Sequence, residues 1–191
     1  MAIEPKKKTS IRILKAHIVD AIKESCYTTD LRLYNIANEV FQIPTSSYGL
    51  ADDMVDSYTI GSSNPGIVND LLKIISQTVQ NAIAVDCDLS VIIKGLFLGA
   101  FRARVFVKEG AHKDTRIMIR ETLQTVFKYK GDEKQMVEGL LAAFYTIAKE
   151  FKLETHEFLI LIQEDILSIA ESINPKFAED IKGIFPNLDN A

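Results

Sequence analysis

Three carboxylates lie close together in the segment ADDMVDSY, which runs from Ala51 to Tyr58. On a helix, Asp52 and Asp56 would share one face, because residues four positions apart are neighbours on a helix surface. Carboxylate oxygens are the ligands that hard cations such as Mg²⁺ prefer. Asp52, Asp53 and Asp56 are therefore a candidate Mg²⁺ site, and the alternative interpretation is an acidic cap on a solvated turn.

This spacing resembles the DDxxD motif with which isoprenoid synthases hold Mg²⁺ against a diphosphate. The resemblance implies a small Mg²⁺-dependent enzyme built from helices. Members of that family are considerably longer and carry a second acidic motif. The nearest counterpart here begins at Asn69, and Lys73 and Gln77 stand where that motif has Ser or Thr and Glu.

The histidine and cysteine residues suggest fewer candidate metal or catalytic sites. Glu109 and His112 have the E-x-x-H spacing of di-iron bundles, but Gly110 and the expected turn interrupt the helix that this geometry needs. Cys87 lies between two aspartates, whose negative charges disfavour a thiolate. Because no Ser/His/Asp arrangement follows from the spacing, we expect no catalytic residues and no cofactor.

The first 50 residues have the pattern of a helix-turn-helix. The residues that indicate it are Ile13, Leu14, Ala16, Ile36, Ala37 and Tyr48. This pattern resembles the N-terminal part of tetracycline-repressor-like regulators, which are all-helical DNA-binding proteins. The chain departs from that family at Phe41, where a tight turn favours glycine. It also departs at Pro44, which interrupts the start of the recognition helix.

The resemblance implies two groups of DNA-binding residues. The side chains after the turn would face DNA, namely Thr45, Ser46, Ser47 and Tyr48. The basic residues near the N-terminus would bind phosphates, namely Lys6, Lys7 and Lys8. The alternative interpretation of these lysines is a solvated chain terminus.

The composition is that of an ordinary globular protein, with 191 residues, 47% of them apolar and 25% charged. The net charge of −4 argues against a globally basic nucleic-acid-binding protein. The two cysteines are far apart, a pattern that fits a reducing compartment, and we interpret both as small buried residues. The N-terminus has no apolar segment typical of a secretory signal, so we expect a cytoplasmic protein.

The most apolar stretch is VIIKGLFLGAFRARVFV, residues 91–107. Lys94, Arg102 and Arg104 interrupt it, so it is predicted to be a buried core helix and not a membrane span. Gly95, Gly99 and Ala103 recur every fourth residue and form a stripe of small side chains. Such a stripe lets a neighbouring helix approach closely and offsets the helix-propensity cost of glycine.

A similar stretch follows at an offset of 44 residues, so that Gly95 aligns with Gly139 and Gly99 with Ala143. His112 aligns with His156 at the same offset. A period of this length is typical of paired-helix repeats. The chain is therefore predicted to contain a duplicated helical hairpin, and chance similarity between amphipathic helices is the alternative.

The predicted fold is all-α, a compact bundle of about seven to eight helices. Residues 1–50 form an N-terminal helical pair, residues 51–66 a linker and residues 67–191 the C-terminal bundle. The helices predicted in the bundle span residues 67–84, 89–108, 113–129, 133–151, 155–173 and 176–184.

These patterns favour a non-catalytic helical module that binds itself or another protein. Ile160, Ile162, Ile166 and Ile169 make one helix apolar on more than one face, and a homodimer interface would cover the second face. The first alternative is a DNA-binding regulator with a helical ligand or dimer domain. The second is the Mg²⁺-dependent enzyme at residues 52–56.

Overall fold

The computed structural model describes residue 20, residues 65–102 and residues 111–185. This part of the chain forms six α-helices and no β-strand, which confirms the all-α class there. In chain order the helices are α1 (Pro65–Ala84), α2 (Leu89–Arg102), α3 (Ala111–Tyr129), α4 (Glu133–Phe151), α5 (Thr155–Ile173) and α6 (Pro175–Lys182). The predicted total of seven to eight helices also depends on residues 1–64, which, Asp20 apart, lie outside the described part.

Helices α4 and α5 have the bounds that the sequence predicts. At the start of α4, the Asp132 carboxylate accepts a hydrogen bond of 2.9 Å from the backbone N–H of Gln135, which is the usual N-cap arrangement. At its end, Lys152 has a φ of 55° and donates its backbone N–H to the carbonyls of Ala148 and Lys149. Local capping chemistry therefore fixes both ends of this helix.

Two helices begin two residues earlier than predicted. Helix α1 starts at Pro65, which the sequence had suggested to be part of a break. Proline is well tolerated in the first turn, because its missing N–H has no partner there in any case. Helix α3 starts at Ala111 and not at residue 113.

The bundle is built from helix pairs, with α2 along α4, α1 along α3, α5 on α3 and α6 on α5. The α2–α4 pair contributes two of the largest fully buried side chains, Phe97 and Phe144. Most of α2 is buried, as predicted for the apolar stretch. Among the described residues, no helix combines the length and the apolar character that a membrane crossing requires.

Helices α2 and α4 approach each other closely at Gly139. A Cβ atom on this glycine would lie 2.6 Å from the backbone oxygen of Ser90 and 3.1 Å from the Cβ of Ile93. Gly99 and Ala143 are also buried, whereas Ala103 lies outside the described residues. Near the same crossing, the Gln135 side-chain oxygen accepts a 2.8 Å hydrogen bond from the backbone N–H of Leu89. A side chain of α4 therefore caps the start of α2.

The 44-residue offset recurs in the helix bounds. The starts of α2 and α4 lie 44 residues apart. The starts of α3 and α5 are separated by the same number of residues, and so are their ends. The turns before α2 and α4 each contain a left-handed residue, Asp86 with φ 57° and Lys130 with φ 55°, again at this spacing. The two hairpins thus match at three helix bounds and not at the ends of α2 and α4, and their origin by duplication stays a prediction.

The start of α4 carries a pH-dependent carboxyl group. Burial, together with the negative charges of Asp180 and Asp132, raises the pKa of Glu133 above its ordinary value. The folded protein binds this proton more tightly than the unfolded chain does. Stability is therefore lost as the pH rises from the Glu133 pKa of the unfolded chain through that of the folded protein. We expect Glu133→Gln to gain stability relative to the parent protein between about pH 4 and about pH 7, measured by urea unfolding. A difference that stays constant across this range would contradict the assignment.

Candidate functional site

A basic cleft lies between α3 and α5. Lys113, Arg116 and Arg120 follow one another at i, i+3 and i+7, so the first turns of α3 present all three on one face. Ile117 of α3 and Ile169 of α5 complete its described lining. The cleft has a volume of about 310 Å³, at the lower end of the range for small-molecule sites.

An ion pair between α3 and α5 holds one of the cations that line this cleft. Asp165 lies among the buried residues of α5 and is only 7% exposed. Its Oδ1 accepts a hydrogen bond from Nη1 of Arg116. A carboxylate this deeply buried needs a charged or hydrogen-bonding partner, because desolvation penalises the ionised form. The pair therefore fixes the Arg116 guanidinium against α5.

The other two cations of the basic cleft are open to solvent. Lys113 and Arg120 are both exposed, and neither has a carboxylate partner within the described ranges 65–102 and 111–185. Asp165 pairs with one of the three cations that line the cleft, which leaves two of them without a carboxylate partner among the described residues. Chemically, such an arrangement binds anions, because Arg and Lys donate charge-assisted hydrogen bonds to phosphate or carboxylate oxygens.

A second surface is formed by exposed apolar side chains where α4 turns into α5, and we call it the hairpin end. Its members are between 43% and 58% exposed and comprise Tyr145, Phe151, Leu153 and Leu161. Tyr145 and Leu161 each lie about 9 Å along their helix from the turn, at a rise of about 1.5 Å per residue. The ammonium group of Lys149 lies 5.4 Å from the centre of the Tyr145 ring. These four are the large exposed apolar side chains of the α4–α5 hairpin, and interaction surfaces typically carry side chains of this kind.

Most of the site residues that the sequence predicts lie outside the described part of the chain. The predicted DNA-binding residues at 6–8 and 45–48, and the predicted Mg²⁺ ligands at 52, 53 and 56, lie outside the described residues. Within the part of the chain that the structure describes, no three His, Cys, Asp or Glu side chains are grouped to hold a metal ion. His156 is exposed in the first turn of α5. No family model, curated protein or solved structure matches the chain.

Cys87 differs from the sequence-based interpretation. It is buried, as expected, at 6% exposure, but its sulfur is part of a disulfide bond. The interpretation of Cys26 as a buried residue falls outside the described residues.

Neither the basic cleft nor the hairpin end was predicted from the sequence. A signal for the basic cleft was present, since Lys113, Arg116 and Arg120 have the spacing of one helix face. Nothing local identifies Asp165 as the partner of Arg116, because the two residues are 49 positions apart. The cleft exists only because α3 and α5 pack side by side.

Proposed function

We propose that this chain is a helical interaction module that associates with a second copy of itself through the hairpin end. The observation that carries the proposal is the exposure of four large apolar side chains at one end of the α4–α5 hairpin. Leu161, at 58%, is the most exposed of them. Covering such side chains releases water from apolar surface, which is the main favourable term in protein association.

The charges around the hairpin end support a second copy as the partner. Exposed residues of both signs lie along the turn, namely Lys149, Glu150, Lys152, Glu154 and Glu157. In a twofold-symmetric interface each patch meets its own copy in the reverse direction, so a patch with both signs can be complementary to itself. An apolar centre with a charged rim is the usual composition of such an interface.

Sedimentation velocity across a concentration series tests the proposal. We expect a reversible dimer with a dissociation constant on the order of micromolar. Leu161→Glu should weaken dimerisation at least about tenfold, because it places a charge in the apolar centre of the interface. A parent protein that sediments as a monomer up to about 100 μM would contradict self-association.

A control variant tests whether dimerisation depends on the hairpin end in particular or on any exposed apolar side chain. Tyr129 is 37% exposed and precedes α4, about 28 Å along that helix from the hairpin end. Tyr129→Ser should dimerise like the parent protein. If Leu161→Glu and Tyr129→Ser behaved alike, the assignment to the hairpin end would be wrong.

A further inference from the structure

We propose that the basic cleft between α3 and α5 binds a small organic phosphate. The two lining cations that Asp165 does not pair with match the two negative charges of a phosphate monoester in its dianionic form. Lys113 and Arg120 have no carboxylate partner among the described residues, so an anion that binds there displaces no existing ion pair. Binding at this cleft is separate from self-association at the hairpin end.

Arg116 gives the site a fixed donor. Its Nη1 is held by the buried Asp165, and only 35% of its side chain is exposed. A donor whose orientation is already set loses less conformational freedom when a ligand binds. Lys113 lies one turn before Arg116 and Arg120 one turn after it, so their flexible side chains can close on an anion from either side.

The apolar part of the lining indicates the rest of the ligand. Ile117 and Ile169 come from different helices and contribute aliphatic surface beside the three cations. Inorganic phosphate would leave this surface in contact with water, whereas an ester with a small apolar group would cover it. We therefore expect an organic phosphate to bind more tightly than inorganic phosphate does.

Calorimetric titration of the full chain with phenyl phosphate tests this inference. We expect saturable binding that weakens as salt is added, since charge–charge attraction is screened. The double substitution Lys113→Ala and Arg120→Ala should weaken binding at least about tenfold. Both residues are exposed, so this variant should keep the thermal unfolding midpoint of the parent protein. Lys134→Ala serves as the matched control, because its side chain is 72% exposed on α4 and does not line the cleft.

Two comparisons define the ligand. Inorganic phosphate should bind more weakly than phenyl phosphate, and phenol, which lacks the charge, should not bind. Vesicles containing phosphatidic acid, compared with pure phosphatidylcholine vesicles, distinguish a lipid headgroup from a free ester. Binding only to the phosphatidic acid vesicles, lost in the double variant, would assign the phosphate to a lipid.

The inference fails if neither phenyl phosphate nor phosphatidic acid binds, or if the double variant binds them as well as the parent protein does. It is independent of dimerisation, because Phe151→Glu, at the end of α4 and outside the cleft lining, should retain phosphate binding. A monomeric protein that binds phosphate would therefore reject the proposed self-association and leave the cleft assignment standing.

Discussion

Phe144→Ala is expected to lower the free energy of unfolding by about 3–5 kcal/mol, the usual cost of removing a fully buried aromatic side chain. The ring of Phe144, in α4, is completely buried. Its centre lies 5.4 Å from that of Phe97, 6.1 Å from Phe101 and 6.0 Å from Phe158, with the rings inclined to one another in each pair. Edge-to-face pairs of this kind add to the stabilisation from burial.

The substitution therefore removes contacts to α2 and to α5 at the same time. Urea unfolding followed by circular dichroism measures the effect. Phe127→Ala is the matched control, because Phe127 is 43% exposed and has one close ring neighbour among the described residues, Phe177 at 5.1 Å. We expect the control to lose clearly less stability than Phe144→Ala. Equal losses would show that Phe144 is not the centre of the aromatic cluster.

Gly139→Ala is expected to destabilise the protein by about 1–3 kcal/mol, the usual cost of overpacking a core. In an exposed helix the same change would stabilise by about 1 kcal/mol, because alanine has the higher helix propensity. Here the added methyl group would meet the Ser90 backbone oxygen at 2.6 Å. Backbone atoms cannot rotate away, so α2 and α4 would have to separate.

Two other glycines provide a graded comparison. A Cβ at Gly131 would meet the end of the Ile83 side chain at 2.7 Å, and a side chain can shift more cheaply than a backbone. A Cβ at Gly183 would meet nothing closer than 3.6 Å. Urea unfolding should therefore rank the alanine variants, with 183 close to the parent protein, 131 intermediate and 139 the least stable. A stability of Gly139→Ala equal to that of Gly183→Ala would contradict the close approach of α2 and α4.

The parts of the fold that were predictable are those with local causes. The start of α4 follows from Asp132, whose carboxylate caps a backbone N–H three residues later. The bounds of α5 follow similarly, since Asn174 ends this helix and its side chain caps α6 at Lys176 and Phe177. The start of α1 was predicted two residues too late, because a proline such as Pro65 is compatible with both a break and a first helical turn.

The candidate surfaces were not predictable, because they depend on how helices pack. The isoleucines of α5 suggested two apolar faces, but Ile162, Ile166 and Ile169 are all buried. The exposed apolar residue of that helix is instead Leu161. Which of these side chains meets solvent is decided by the position of α5 against α3 and α4, and no feature of the helix alone sets it.

The pairing of α2 with α4 has a consequence for synthesis of the chain. The two helices start 44 residues apart, and the Gln135 side chain that caps α2 belongs to the later one. A ribosome adding about 5–20 residues per second makes this stretch in roughly two to nine seconds. For part of that interval the nascent chain carries the apolar residues of α2 without their packing partner α4, and a chain in this state is prone to aggregation or to capture by a chaperone.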